Sequence, residues 1–285
     1  MIVSAGKLSF LCFLASCFNL AVFFLPLFNS HMFELVCENI YYFLFVYFIG
    51  THLIWRLLLT NFLYEVGMRA CFLGAIFSWG IFTAVLAPDS YTVFGWYMCV
   101  LSFFHYSEFL AISVTNPTTL TIDSYILDHS LDYKIAAATS WVEFFIERWF
   151  VPDMKTYRRI AAIGLFLCIG GEILRKLAMY TAGRNFTHTV RSEKGPDQTL
   201  VVTGLYSLVR HPSYVGWFYW AVGTQITLLN PLCTVAYALA SWKFFNDRII
   251  IEEITLLNFF GYDYMDYQKR VPTGLPLIKG YLLEE

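Results

Sequence analysis

Eight apolar runs, each near the length that crosses a lipid bilayer, leave this chain few folds to choose from. They cover residues 8–27, 39–59, 68–87, 91–114, 134–150, 160–181, 214–229 and 232–245. A helix of about 20 residues spans a hydrocarbon core of roughly 30 Å. Only helices and closed barrels satisfy every backbone polar group there. The spacing therefore predicts an all-α, polytopic integral membrane protein with about eight transmembrane helices. Composition agrees, because only 14% of the 285 residues are charged, against about a quarter in a soluble domain. Run 8–27 lacks a small-residue cleavage site and further spans follow it, so it reads as a retained helix, not a signal peptide.

Basic residues at the span ends set the orientation. Lys7 precedes the first run, and no Lys or Arg lies between 27 and 39. Arg56 and Arg69 flank the next connection, and "APDSY" again has none. This alternation puts the N-terminus in the cytosol. An even span count then brings the C-terminus there too, with the basic segment 175–210 and with Lys269, Arg270 and Lys279. One connection runs against the rule: Arg148, Lys155, Arg158 and Arg159 would face the lumen. We expect one integral membrane domain over 1–285, in which 1–150 is mainly scaffold. Polar sequence gathers after Arg175, so any chemistry is expected at a cytosolic site within 175–285.

Several function classes drop out early. The seven cysteines are scattered without a CxxC pair, and read as small buried residues. The six histidines show no HxxxH or HxH spacing, so no metal is expected. A net charge of −2 gives no sign of nucleic-acid binding.

His105, Glu108, Glu143, Glu147 and Glu172 fall within or beside the spans. Charge is costly in hydrocarbon, so each needs a partner, a cavity or water. Interhelical pairing and a polar pocket both meet that need. Arg248 and Glu252 are four apart, on one helical face, and Glu253 is rotated away. They could form an ordinary surface ion pair, or hold two different ligands. In "RHPSY" (210–214), Pro212 suits a first helical turn, and the free amides after it favour an anionic or polar group. Tyr206, Arg210, His211 and Tyr214 cluster at this helix start, as an interfacial belt or as a binding site.

These stretches resemble a known family. "LVVTGLYSLVRHPSYVGWFYW" and "RIIIEEITLLNFFGYDYMDYQKRVPTGLPLIKG" are similar to the signature of the isoprenylcysteine carboxyl methyltransferases. "LRKLAMYTAGRNF", the length and the eight-span plan extend the likeness over the whole chain. Parts of the signature also occur in phospholipid methyltransferases and NADPH-dependent sterol reductases. The double Glu with "VPTGLP" is the specific combination.

The resemblance implies methyl transfer from S-adenosylmethionine to the C-terminal carboxylate of a prenylated cysteine on CaaX proteins, Ras-like GTPases among them. It also implies a place in the endoplasmic reticulum membrane. It assigns Gln198, Thr199, Leu200 and Val201 to a segment along the cofactor. Tyr206, His211, Pro212, Ser213 and Tyr214 would wrap the cofactor, and Glu252 would hold it. Arg191 would contact it where the family usually carries Gln. Arg248 and Arg175 would bind the substrate, Arg248 at its carboxylate and as the catalytic residue. Gly170, Gly171 and Trp217 are candidates for a lipid route to the site.

The chemistry suits these assignments. An α-carboxylate titrates near 3.5, so it is already a nucleophile at neutral pH and needs no general base. Orientation is what the reaction demands, and the planar fork of Arg248 can supply it. Two readings compete: an NADPH-dependent sterol reductase on a related scaffold, and a non-catalytic membrane receptor.

Overall fold

The computed structural model describes residues 3–127 and 130–281. Among them the regular structure is entirely helical: α1 Ser4–Cys17, α2 Ser30–Glu38, α3 Ile40–Leu58, α4 Asn61–Leu86, α5 Thr92–Thr115, α6 Leu131–Phe150, α7 Arg158–Ala182, α8 Pro212–Leu228, α9 Pro231–Phe260 and α10 Tyr262–Arg270. A helix overlies each of the eight apolar runs. Two differences stand out. The first run is α-helical only to Cys17 and continues as a 3₁₀ helix, Phe18–Leu27, that contains Pro26. The connection after it holds α2, whose first turn is capped by the Asn29 side chain accepting from Met32 N at 3.0 Å.

Among the described residues, four segments are long and apolar enough to cross a membrane: Ser4–Leu27, Ile40–Leu58, Asn61–Leu86 and Asp89–Thr115. The later helices differ in kind. α6 and α7 carry acids and bases along their length, α8 has 17 residues, and α9 turns polar after Phe245.

The backbone groups into two compact units. The first comprises Met1–Val114, Thr121–Leu131 and Phe145–Arg158. Several of its buried polar groups are satisfied internally. Tyr125 stacks on Phe109 with ring centroids 4.2 Å apart. Its hydroxyl meets Ser9 Oγ at 2.8 Å and donates to Val66 O at 3.1 Å. His105 Nδ1 lies 2.9 Å from Tyr125 O, and Lys155 pairs with Glu147 at 2.7 Å.

The second unit comprises Thr115–Leu120, Asp132–Phe144 and Arg159–Glu285. Small residues let α7 and α8 approach backbone to backbone. A Cβ at Gly171 would lie 2.4 Å from Gly216 O, and one at Gly164 only 2.3 Å from Thr227 N. Gly171 is thus a packing residue, which corrects its expected place on a lipid route. Gly170 has open space around it. α8 ends at Leu229 in the left-handed conformation (φ +58°), and α9 starts at Pro231. Glu143 caps that start, accepting from Leu232 N at 2.8 Å and Cys233 N at 2.7 Å. Asn230 donates to Ser140 O at 2.8 Å. Glu172 pairs with Lys176 at 3.1 Å. Glu143, Glu147 and Glu172 thus all satisfy their charge within their own unit.

Candidate active site

The start of α8, the last turns of α9 and the segment after α7 line a cleft with about 900 Å3 of empty space, part of it open to solvent. Its far wall is a segment without regular secondary structure. Asn185 holds this segment by reciprocal bonds, accepting from Thr199 N at 2.9 Å and donating to Thr199 Oγ1 at 3.2 Å. Asn116 fixes the approach to it, donating to Arg184 O and Phe186 O, each at 3.0 Å. Gln198 Oε1 accepts from Gly195 N at 3.1 Å.

Arg191, Gln198, Thr199, Leu200, Val201, Tyr206, His211, Ser213, Tyr214 and Glu252 all line this cleft. Three residues named from the sequence stand behind it. Pro212 is buried in the first turn of α8. Arg175 is 1% exposed; it donates to Ser213 Oγ at 2.6 Å, and its guanidinium lies 4.6 Å from the Trp217 ring centre. Arg248 reaches the cleft through Tyr214. Its Nε donates to the Tyr214 hydroxyl at 3.0 Å, its Nη2 donates to His188 O, and the Tyr214 hydroxyl in turn donates to Glu252 Oε2.

Glu253 is the functional neighbour that the sequence reading passed over. It is 0% exposed and collects five donors. Arg210 Nε (2.8 Å), His211 Nε2 (3.0 Å) and the Tyr264 hydroxyl (3.2 Å) meet Oε1. Gln268 Nε2 (3.0 Å) and Tyr281 N (2.8 Å) meet Oε2. Burial alone would raise its pKa. The bonds and charges of His211 and Arg210 outweigh burial and hold the carboxyl down at about 2.

The ring of His211 is thereby fixed, stacked parallel to Tyr214 at 5.5 Å. Arg210 also donates to Gln268 O, Val271 O and Lys279 O, so the tail is strapped to the start of α8. Burial pushes the phenols of Tyr206 and Tyr264 up and that of Tyr267 to about 12, keeping all three neutral. A signal for Glu253 was present: Phe245 and Ile249, eight and four residues before it, are buried too. An acid that continues a buried stripe at i+4 spacing is a paired acid.

Comparison with known proteins bears on this cleft. Residues 162–258 match the model of the isoprenylcysteine carboxyl methyltransferase family, a stretch that runs from α7 through most of α9. The chain is similar to a protein-S-isoprenylcysteine O-methyltransferase of Tribolium castaneum, 47% identical over 99% of both chains. It is also similar to that of Mus musculus, 53% identical over 78% of each. Among solved structures it resembles that of the eukaryotic intramembrane Ras methyltransferase, with a TM-score of 0.90 and 45% identity over 99% of this chain and 100% of that one. These likenesses set aside the sterol reductase and receptor readings: the chain belongs to the isoprenylcysteine carboxyl methyltransferase family.

Proposed function

We propose that this chain transfers a methyl group from S-adenosylmethionine to the C-terminal carboxylate of a prenylated cysteine, on CaaX-processed proteins such as Ras-like GTPases. One observation carries the reading beyond family membership. A carboxylate and a guanidinium stand beside the same cleft without binding each other, because the Tyr214 hydroxyl lies between Glu252 and Arg248.

The cleft residues fit the methyl donor. Glu252 offers negative charge to a cationic ligand. The backbone N–H groups of Ser213, Leu200 and Val201 have no protein acceptor among the described residues. That of Ser213 opens α8, where the helix dipole favours a carboxylate. Phe186, Tyr206 and Phe259 give aromatic faces for a flat ring. S-adenosylmethionine, when bound, supplies a methyl group activated by a sulfonium.

The protein's part is positioning. Arg248 commits Nε to Tyr214 and Nη2 to His188. Its Nη1 has no partner among the described residues. A substrate carboxylate held there by one end keeps an oxygen lone pair for attack, and it needs no base. The prenyl chain belongs in lipid at about 0.8 kcal/mol per buried CH2, which gives reason for a membrane scaffold around a polar site.

In this reading the chain is one integral membrane domain of the endoplasmic reticulum with eight crossings. Residues 1–150 serve mainly as scaffold, 175–285 hold the site, and both termini and the cleft face the cytosol. The test is incubation of purified protein with S-adenosylmethionine and N-acetyl-S-farnesylcysteine. A carboxyl methyl ester is expected, and its absence overturns the proposal. Single cysteines replacing Lys7, Lys194 and Lys279 should label only from the cytosolic side; lumenal labelling at Lys279 would break the eight-crossing plan.

A further inference from the structure

A second cleft lies in the first unit. It has about 590 Å3 of empty space, part of it open to solvent, and is lined by Tyr41, Thr83, Ala87, Pro88, Tyr91, Phe94 and Phe145. Tyr41 lies in the first turn of α3, Ala87 just after α4, and Tyr91 just before α5. The cleft therefore sits where three hydrophobic helices end, at the boundary between hydrocarbon and water. Its lining is aromatic, as is usual at that depth.

Arg148, in the last turn of α6, lies against this wall with its guanidinium 3.9 Å from the centre of the Tyr91 ring. Two neighbours on the same connection are neutralised: Lys155 pairs with Glu147 at 2.7 Å and Arg158 with Asp89 at 2.9 Å. Arg148 has neither a hydrogen bond nor an ion pair among the described residues, and its Nε is shut off from solvent without an acceptor. A buried donor without an acceptor is rare in a folded protein, and a cation at the bilayer edge needs an anion or water. The stacking on Tyr91 satisfies the face of the guanidinium and leaves the N–H edge unmet.

We infer that this cleft is a binding site for an anionic glycerophospholipid, with the phosphate on the N–H edge of Arg148 and an acyl chain in the aromatic groove. The charge complements a phosphodiester, and the apolar lining suits a hydrocarbon chain. The site also gives a use to the basic connection that runs against the positive-inside pattern.

The test is native mass spectrometry of the full chain in detergent, titrated with dioleoylphosphatidylglycerol and, separately, dioleoylphosphatidylcholine. The wild type should retain the anionic lipid about tenfold more tightly, equivalent to about 1.4 kcal/mol. Arg148→Ala should abolish that preference. So should Arg148→Gln, which keeps a polar stem over Tyr91; its unchanged melting temperature guards against misfolding. Arg148→Lys should keep part of the preference, and Phe145→Ala should weaken both lipids alike. Equal retention of the two lipids by the wild type overturns the inference. So does a preference that survives Arg148→Gln, or one that falls equally on Lys7→Ala, which would mark a general charge effect.

Discussion

Arg248 and Glu252 lie one turn apart on α9, yet the Tyr214 hydroxyl, not an ion pair, joins them: it accepts from Arg248 Nε at 3.0 Å and donates to Glu252 Oε2. An i,i+4 acid and base on a free helix would usually meet directly. Here α8 inserts a phenol between them, so each charge keeps capacity for a ligand of its own.

Substitutions at this pair should therefore differ in kind. Glu252→Ala should weaken S-adenosylmethionine binding. Arg248→Ala should leave that affinity near normal and lower methyl transfer by about one and a half to three decades, the loss expected for a charged partner worth about 2–4 kcal/mol at a desolvated site. Arg248→Lys should recover little, because a single ammonium does not reproduce the planar guanidinium that holds Tyr214, His188 and the carboxylate at fixed angles. Isothermal titration beside initial rates makes the comparison, and matching mild defects would argue for a simple structural pair.

Tyr214→Phe removes the bridge and leaves both charges in place. Two charge-assisted hydrogen bonds disappear, and part of their strength returns through direct Arg248–Glu252 contact. We expect a ten- to hundredfold loss in kcat/KM, with both affinities affected. A double-mutant cycle with Arg248→Ala should be far from additive; additive losses would show that the bridge does not couple the two sites.

Glu253 should make stability depend on acidity. Its folded pKa of about 2 lies below the ordinary 4.5, so its contribution is fully present above about pH 4.5. It is lost as pH falls from there toward 2. That difference corresponds to roughly 3 kcal/mol. Glu253→Gln should lower the unfolding temperature at neutral pH, because Arg210 stays buried without its carboxylate. The same variant should flatten the acid limb of a melting-temperature profile. An unaltered acid limb would remove Glu253 from that role.

The two adjacent glycines of α7 should behave oppositely. Gly171→Ala drives a methyl group into Gly216 O, at a cost of about 1–3 kcal/mol. Gly170→Ala meets nothing within 4 Å and should be neutral, or stabilising by up to about 1 kcal/mol through helix propensity. Thermal unfolding in detergent distinguishes them.

Glu143→Ala should cost about 1 kcal/mol, since its carboxylate caps α9 by accepting from Leu232 N and Cys233 N. Methyl transfer per folded molecule should not change. A fall in turnover without a fall in stability would instead give Glu143 a role in the reaction.

The sequence by itself determined the helices, because apolar run length and helical period are local properties. All eight runs became helices, and the turn at Asn230–Pro231 lies where Pro231 requires a helix start. It also told which polar residues belong together around 191–252, through the motifs that carry the family resemblance. It did not decide what each polar atom touches. Whether Arg248 meets Glu252 or Tyr214 depends on the register between α8 and α9, not on spacing within α9. Whether Gly171 lines a lipid path or a helix contact depends on where Gly216 falls across from it. Glu253 gains its charge state from Arg210 and His211, more than 40 positions earlier, and from the tail at Tyr281. Those contacts exist only after the helices pack. Burial sets how costly an unmet charge is, and only the packed structure decides which groups are buried together.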